Sequence, residues 1–139
     1  MEVAAFVLAI LSAAFSLVTY FVSVKHDKKQ DTIEAFSRLQ NEALDKLYYF
    51  TPSEIKEIAK DNRSEKFKEI SLYLARIEHF SVGVNSKLYD QKTAYRLAGE
   101  MFHPIYEKLL PIIETKRKIP GSEKVFDDFE AFVKNLSRE

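Results

Sequence analysis

The feature that most constrains this chain is an uncharged run near its N-terminus. Residues Val3 to Val24 form 22 positions without a charge, and 18 of them are apolar. A helix of that length rises about 1.5 Å per residue and reaches roughly 33 Å, enough to cross a hydrocarbon core of about 30 Å. The run has no polar face, so it is a poor match for a helix buried in a soluble core. We therefore expect residues 3–24 to form a transmembrane helix.

A cleaved signal peptide is the alternative for this run. Such a peptide begins with basic residues and ends at a small-residue cleavage site, whereas here the acidic Glu2 precedes the run. Lys25, Lys28 and Lys29 follow the run and no basic residue precedes it. The positive-inside rule therefore predicts that the C-terminal side is cytoplasmic. We expect a single-pass protein of the cell's inner (plasma) membrane. The expected membrane-interface residues are Tyr20, Phe21, Lys25, Lys28 and Lys29.

The composition excludes several other classes of protein. The 21 basic and 21 acidic side chains balance to a net charge of zero, which argues against nucleic-acid binding. The chain has no cysteine, so disulfides, thiolate zinc sites and a cysteine nucleophile are excluded. Sustained period-two alternation, the pattern of a strand, is absent. We predict an all-α fold: one N-terminal transmembrane helix followed by a small cytoplasmic helical bundle.

Helix signals divide the chain into three parts. After the transmembrane helix at 3–24, residues 25–50 are predicted to form a juxtamembrane amphipathic helix. It begins at a capping box over 31–34 unless the helix runs on unbroken from the membrane. Residues 51–139 are predicted to form the bundle domain, with helix starts near Thr51, Asn62, Asp90 and Ser122.

Two long helices are expected to dominate the bundle. The first runs from about residue 62 and is closed by Gly83 and Asn85. The second runs from Asp90 to the basic triad at 116–118 and is interrupted by Pro104 and Pro111. We expect the two to pair as an antiparallel hairpin, with residues 84–90 near the membrane. The predicted contacts place Phe67, Ile70, Leu74 and Ile77 against Ala98, Met101, Ile105 and Leu109.

Glu78 flanks the apolar face of the first long helix. We expect its carboxylate to be partly buried and paired with a cation, Lys92 or Arg96, or held by hydrogen bonds across the hairpin. Together with Gly83, Pro104 and Pro111, Glu78 is assigned a structural role.

Two patterns suggest self-association. Ala5, Ala9 and Ala13 recur every four residues, a spacing that lets two helix backbones approach closely in a membrane. Beyond the span, a narrow apolar seam at coiled-coil spacing is formed by Ile33, Phe36, Gln40, Ala43, Leu47 and Phe50. Leu39 and Leu44 widen this seam, which instead favours packing within the monomer. A homo-oligomer and a self-contained bundle both remain open.

Metal chemistry has one weak motif in its favour. Glu100 and His103 have the Glu-x-x-His spacing of di-iron bundles, which need two such motifs and two further glutamates. The chain has only one, with Glu78 and His79 as weak additional ligands. Neither a Gly-x-Ser-x-Gly motif nor a phosphate-binding loop is present in the sequence. We therefore predict no metal, no cofactor and no catalytic residues.

Several short segments resemble one family. They are Leu74–Val84, Leu88–Asp90, Ala98–Gly99 and Tyr106–Ile113. The family is a domain of unknown function numbered 4760, whose bacterial and phage members join an N-terminal membrane span to a short helical domain. The resemblance covers nearly the whole chain and implies this fold, a membrane anchor and a prokaryotic setting. It implies no activity and no catalytic residues.

Three candidate functions follow from these features. The first is a membrane-anchored interaction or scaffold module at the cytoplasmic face, which binds an unknown protein partner or itself. A phage-related or defence role is implied by the resemblance alone. The alternative is a membrane-permeabilising effector that uses the span as a pore element, or, more remotely, a carboxylate/His metal-binding bundle.

Overall fold

The prediction of an all-α fold is confirmed. A computed structural model describes residues 2–138, and within that range the chain forms six helices and no strand. Their bounds are α1 Glu2–Tyr48, α2 Pro52–Ala59, α3 Glu65–Asn85, α4 Gln91–Ala98, α5 Phe102–Arg117 and α6 Asp127–Leu136.

The longest helix, α1, continues without a break from the apolar run into the bundle. Its first part is long and apolar enough to cross a membrane, and residues 2–27 are exposed throughout. The capping box predicted over 31–34 does not start a helix. The Thr32 hydroxyl instead donates to the Lys28 carbonyl oxygen at 2.7 Å, one turn back within α1.

The last third of α1 is amphipathic and forms one wall of the core. A π-helical turn at Gln40–Leu44 interrupts the α-helical ladder, and beyond it the helix resumes as Asp45–Tyr48. The buried residues are Thr32, Ala35, Phe36, Leu39, Ala43, Leu44 and Leu47. This stripe is wider than a coiled-coil seam because Leu39 and Leu44 belong to it. The seam therefore packs inside the monomer.

This burial corrects the predicted self-association seam. Phe36, Ala43 and Leu47 are covered by the bundle, so they are not available to a second copy of the folded chain. Phe50 is half-buried at the end of α1, while Ile33 is 42% exposed and faces away from the core. The physical reason is that apolar spacing alone does not distinguish a partner helix in the same chain from one in another chain.

Three of the predicted helix starts are supported by side-chain caps. Thr51 caps α2 by accepting from the Glu54 backbone N–H at 3.2 Å, with Pro52 as the first helical residue. Asp90 caps α4 by accepting from the Thr93 backbone N–H at 3.0 Å. The start of α3 lies two residues later than Asn62, because Ser64 is the capping residue there. Such caps satisfy backbone N–H groups that have no partner within the helix.

The second long helix predicted from the sequence is in fact two helices. The chain turns at Gly99, whose φ of +40° suits glycine, so α4 ends at Ala98 and α5 begins at Phe102. Pro104 lies in the first turn of α5, where backbone N–H groups lack helical acceptors anyway, and it interrupts no helix. Pro111 does lie inside α5, and its carbonyl oxygen accepts from the Thr115 hydroxyl at 2.8 Å.

One further predicted helix boundary was wrong. The last helix starts at Asp127 and not at Ser122, since Phe126 adopts a left-handed conformation with φ of +67° just before α6. Of the two residues predicted to close α3, Asn85 is its last residue and Gly83 lies inside it; the residue with positive φ after the helix is Lys87. Neither positive-φ residue is a glycine: Phe126 is buried in the core, and the Lys87 backbone N–H donates to the Val84 carbonyl oxygen.

The predicted hairpin is replaced by a different pairing. The main partner of α3 is α6, whereas α4 packs on α1 and α5 packs on α2. The turn at Gly99 redirects the chain, so the apolar face of α6 covers α3 instead. Leu74, Ile77 and Leu109 are buried as expected, but Met101 is 38% exposed. The register predicted across the hairpin was therefore wrong, although most of the residues assigned to the core were right.

Five phenylalanines join four helices at the centre of the bundle. Phe36 of α1 lies 5.7 Å from Phe80 of α3 and 6.2 Å from Phe102 of α5 between ring centroids. Phe102 also meets Phe129 and Phe132 of α6 at 5.8 and 5.1 Å, edge to face. Aromatic pairs at these separations contribute beyond the area they bury. This aromatic cluster fixes α1 to the rest of the fold.

Gly83 allows the loop after α3 to fold back on that helix. A Cβ atom at Gly83 would lie 2.5 Å from Cε2 of Tyr89. The Tyr89 ring has little room to retreat, because it stacks on Phe80 at 5.6 Å and its backbone N–H donates to the Gly83 carbonyl oxygen at 3.0 Å.

We expect Gly83→Ala to destabilise the protein. Overpacking against Tyr89 costs about 1–3 kcal/mol and outweighs the gain of about 1 kcal/mol from replacing glycine by alanine inside a helix. In a Tyr89→Ala background the obstruction is gone, so the same change is expected to stabilise. Urea unfolding of the four proteins of this double-mutant cycle measures the coupling. A destabilisation by Gly83→Ala that is equal in both backgrounds would contradict the assigned contact.

Candidate interaction site

The lysines that follow the apolar run lie beside the loop that follows α3. The Asp90 backbone N–H donates to the Thr32 hydroxyl at 2.8 Å and so ties the loop to α1. The Thr93 hydrogen bonds, together with Lys29 and Lys28, hold the pKa of the Asp90 carboxyl below its ordinary value. The ring centroids of Tyr20 and Phe21 lie 5.9 Å apart, and both residues are exposed. The residues predicted for the membrane interface thus occupy one continuous stretch of α1.

The small-residue face predicted in the apolar run is free in the monomer. Ala5, Ala9 and Ala13 are all exposed, so no part of the described fold covers them. Their role in self-association stays a prediction.

The opposite end of the bundle carries an apolar groove that the sequence did not indicate. It encloses about 690 Å³ between the end of α1, the start of α2 and the first turns of α5. Its lining is Leu44, Asp45, Tyr48, Pro52, Met101, Pro104, Ile105, Glu107 and Lys108. Tyr48 and its neighbour Tyr49 are 80% and 81% exposed. Exposed tyrosines beside an apolar concavity are typical of protein-binding surfaces.

Lys108 fixes the shape of this groove. Its Nζ atom donates to the carbonyl oxygens of Leu47 and Phe50 at 2.9 and 3.0 Å. The Leu47 carbonyl lies in the last turn of α1 and the Phe50 carbonyl lies just beyond it, where carbonyl groups lack the usual helical N–H partners. Burial lowers the pKa of the Lys108 ammonium. A single lysine therefore caps α1 and holds α5 against it.

Glu78 caps the N-terminus of α6, a role that the sequence indicated only in part. Its two carboxylate oxygens accept from the backbone N–H groups of Asp128 and Phe129 at 3.1 and 2.8 Å. Glu78 is half-buried, as expected. Its partner is the N-terminus of α6, whereas Lys92 and Arg96 were the cations predicted. The predicted cation was therefore wrong, because α6 and not α4 packs on this face of α3. The Glu78 carboxylate replaces the side-chain cap that Phe126, the residue before α6, lacks.

The surroundings of Glu78 raise the pKa of its carboxyl group. Burial, the largest cause, raises the pKa of the Glu78 carboxyl, and the nearby charges of Asp128 and Asp127 raise it further. The two backbone hydrogen bonds act in the opposite direction. The net result is a carboxyl group whose pKa lies above its ordinary value.

Arg117 holds the segment that leads into α6. Its guanidinium donates to the Val125 carbonyl oxygen at 3.0 Å and to the carboxylates of Asp127 and Glu130 at 3.1 and 3.3 Å. The sequence placed Arg117 in a basic helix end but did not identify these partners. In the sequence, only the acidic residues at 127 and 130 indicated possible partners for Arg117.

The weak metal candidates do not come together as a site. Glu100 lies in the turn before α5, so it shares no helix with His103. His103 Nε2 lies 3.7 Å from Glu107 Oε1 on the surface, and Glu78 is occupied by the α6 backbone. Within residues 2–138 no three His, Cys, Asp or Glu side chains are grouped so that they could hold a metal ion. The Glu-x-x-His spacing therefore has no structural counterpart of the di-iron type.

The raised pKa of Glu78 predicts a pH-dependent contribution to stability. A group that binds its proton more tightly in the native state stabilises the fold below its ordinary pKa of 4.5, and this contribution is lost as pH rises through the raised value. Relative to Glu78→Gln, which does not titrate, the wild type is expected to lose stability as pH rises above 4.5. Urea unfolding of the full chain in detergent at a series of pH values measures the difference.

The matched control for this experiment is Glu78→Ala. Loss of a helix cap costs about 1–2 kcal/mol, so the alanine variant is expected to be destabilised throughout the same pH range. A constant difference between wild type and Glu78→Gln across that range would contradict the assigned titration.

The comparisons with known proteins agree with the resemblance found in the sequence. Residues 3–136 match the family described as Domain of unknown function (DUF4760), a match that includes both the apolar run and the bundle. No curated protein and no solved structure matches the chain significantly. The chain belongs to the DUF4760 family.

Proposed function

We propose that this protein is a membrane-anchored helical interaction module whose bundle lies at the cytoplasmic face and presents a groove to a protein partner. The proposal also places the protein in a bacterial or phage setting, with a role in defence or in interference with a host. Support for this last part is the family resemblance of the sequence.

The continuity of α1 carries the proposal. Residues 2–27 are exposed on every side, which in water would leave a large apolar surface uncovered. The same helix then supplies one wall of the bundle core through Phe36, Leu39 and Leu47. A bilayer would cover the first part, and the helix would join it rigidly to the second.

The groove supports the interaction role. Leu44, Met101 and Ile105 give it an apolar floor, and Tyr48 stands exposed at its edge. Asp45, Glu107 and Lys108 add charged groups to the lining. An apolar centre with a polar rim is the usual anatomy of a protein interface, and its size suits one or two anchoring side chains of a partner.

The first experiment tests the anchor and its orientation. A reporter active only after export, fused after Glu139, is expected to be inactive, while a reporter active only in the cytoplasm is expected to work. Replacing Lys25, Lys28 and Lys29 by glutamine removes the positive-inside signal and is expected to give mixed orientation. Extraction of the unchanged protein by alkaline carbonate, or activity of the exported reporter, would contradict the proposal.

The second experiment tests self-association through the small-residue face. Cross-linking of the full chain in membranes is expected to give a discrete dimer or higher species. Ala9→Ile crowds the face formed with Ala5 and Ala13 and is expected to weaken that species. Ala4→Ile adds the same bulk about 140° away around the helix and serves as the control. Equal cross-linking in the two variants would exclude this face as the contact.

A further inference from the structure

We infer that the loop from Ser86 to Asp90 contacts the phospholipid surface from which α1 emerges, with Leu88 as the inserted side chain. The inference rests on the proposed membrane anchor and adds a second point of contact to it.

The position of the loop follows from the direction of α3. Arg76 pairs with Glu42, and Phe80 lies against Phe36, so α3 runs back along α1 toward the apolar run. The loop after α3 reaches Thr32, whose hydroxyl accepts from the Asp90 backbone N–H. Thr32 is eight residues beyond Val24, about 12 Å along the helix axis. The loop is therefore the part of the bundle nearest to the end of the apolar run on this side of α1.

The geometry of the loop turns Leu88 away from the core. Tyr89, the next residue, is held inward by its stacking on Phe80 and by its backbone hydrogen bond to Gly83. Lys87 adopts a left-handed conformation with φ of +64°, which is uncommon for a residue other than glycine. Leu88 lies between these two fixed residues and is 68% exposed. A leucine held outward at this end of the bundle has an apolar surface that only a further partner can cover.

A phospholipid surface is the occupant that the surroundings favour. Lys25, Lys28 and Lys29 of α1 lie at the same end of the bundle as Lys87, and lysines near a membrane surface attract anionic headgroups. Asp27, Asp31 and Asp90, the last of which interacts with Lys28 and Lys29, offset much of this charge, so the apolar side chain of Leu88 carries the proposal. The headgroup layer extends several Å beyond the hydrocarbon core, so the loop lies closer to the membrane surface than to the hydrocarbon core.

Such a contact would set the tilt of the bundle. Because α1 is continuous, the bundle shares the tilt of the spanning helix, and that tilt can vary while α1 is the one point of contact with the membrane. A second contact at Leu88, on the α3 side of α1, would fix which face of the bundle is turned toward the membrane and which way the groove points.

The test uses a tryptophan as a depth probe, since the natural chain contains none. Full-length Leu88→Trp and Leu72→Trp are reconstituted in vesicles of phosphatidylcholine and phosphatidylglycerol, with and without lipids brominated near the headgroup end of the acyl chain. Leu72 is the matched control because it is 66% exposed on α3 and lies one turn before Arg76, which pairs with Glu42, so it is farther from the apolar run than the loop is. We expect blue-shifted emission and several-fold stronger quenching at position 88.

A third variant separates this inference from the proposed anchor. Leu11→Trp places the probe near the middle of the apolar run and is expected to be quenched most strongly by lipids brominated near the methyl end of the acyl chain. If the Leu11→Trp protein escapes quenching, the anchor itself is wrong. If that protein is quenched while Leu88→Trp behaves like Leu72→Trp, the loop does not touch the lipid surface and the inference fails. Unchanged helical circular dichroism in all three variants establishes that the comparison is between folded proteins.

Discussion

The structure depends on one helix being suited to two different surroundings. The α1 ladder extends from Glu2 to Tyr48, and its side chains change from apolar on every face to apolar on one face at about Lys25. Beyond its first turn, the first part pairs its backbone groups within the helix, as a bilayer would demand. In the second part the apolar stripe needs other helices to cover it. Since no loop separates the two parts, whatever holds the first part also orients the second.

The bundle covers this stripe with short helices held by a few polar contacts. The aromatic cluster brings α1, α3, α5 and α6 together, and phenylalanine rings give it bulk and defined edge-to-face geometry. The ends of the helices are then fixed individually. Lys108 satisfies the last carbonyls of α1, and Glu78 satisfies the first N–H groups of α6. Each of these charged groups spans between two helices, so the caps also determine which helices are neighbours.

This arrangement separates two surfaces by the length of α1. The loop that carries Leu88 lies beside Thr32, whereas the groove lies beside Tyr48, some sixteen residues or about 24 Å farther along the helix. In the proposed membrane setting, the groove would face the cytoplasm well clear of the headgroups. The distance suits a module that holds a soluble partner near a membrane, because the anchor and the partner would not compete for the same surface.

Much of the fold was accessible from local sequence signals. Residues 3–24 are uncharged, Thr51 and Asp90 carry capping side chains, and the periodic positions of α3 are buried. These signals act over a few residues, so helix propensity, capping and apolar spacing were enough to find them. The same signals failed where the outcome depended on distant contacts. Ser122 is a good cap in isolation, yet α6 begins at Asp127 because Glu78 provides its cap from another helix.

The sequence by itself determined that the chain is helical, that its N-terminal run is apolar enough to cross a membrane, and that Glu78 is half-buried. Only the tertiary structure decided that the Phe36–Leu47 stripe belongs to the monomer core, that α3 pairs with α6, and that Tyr48 and Met101 border a groove. The physical reason is that an apolar stripe indicates how much surface must be covered, whereas it does not indicate which helix covers that surface. That choice is made by turns such as Gly99 and by caps that join residues some fifty positions apart.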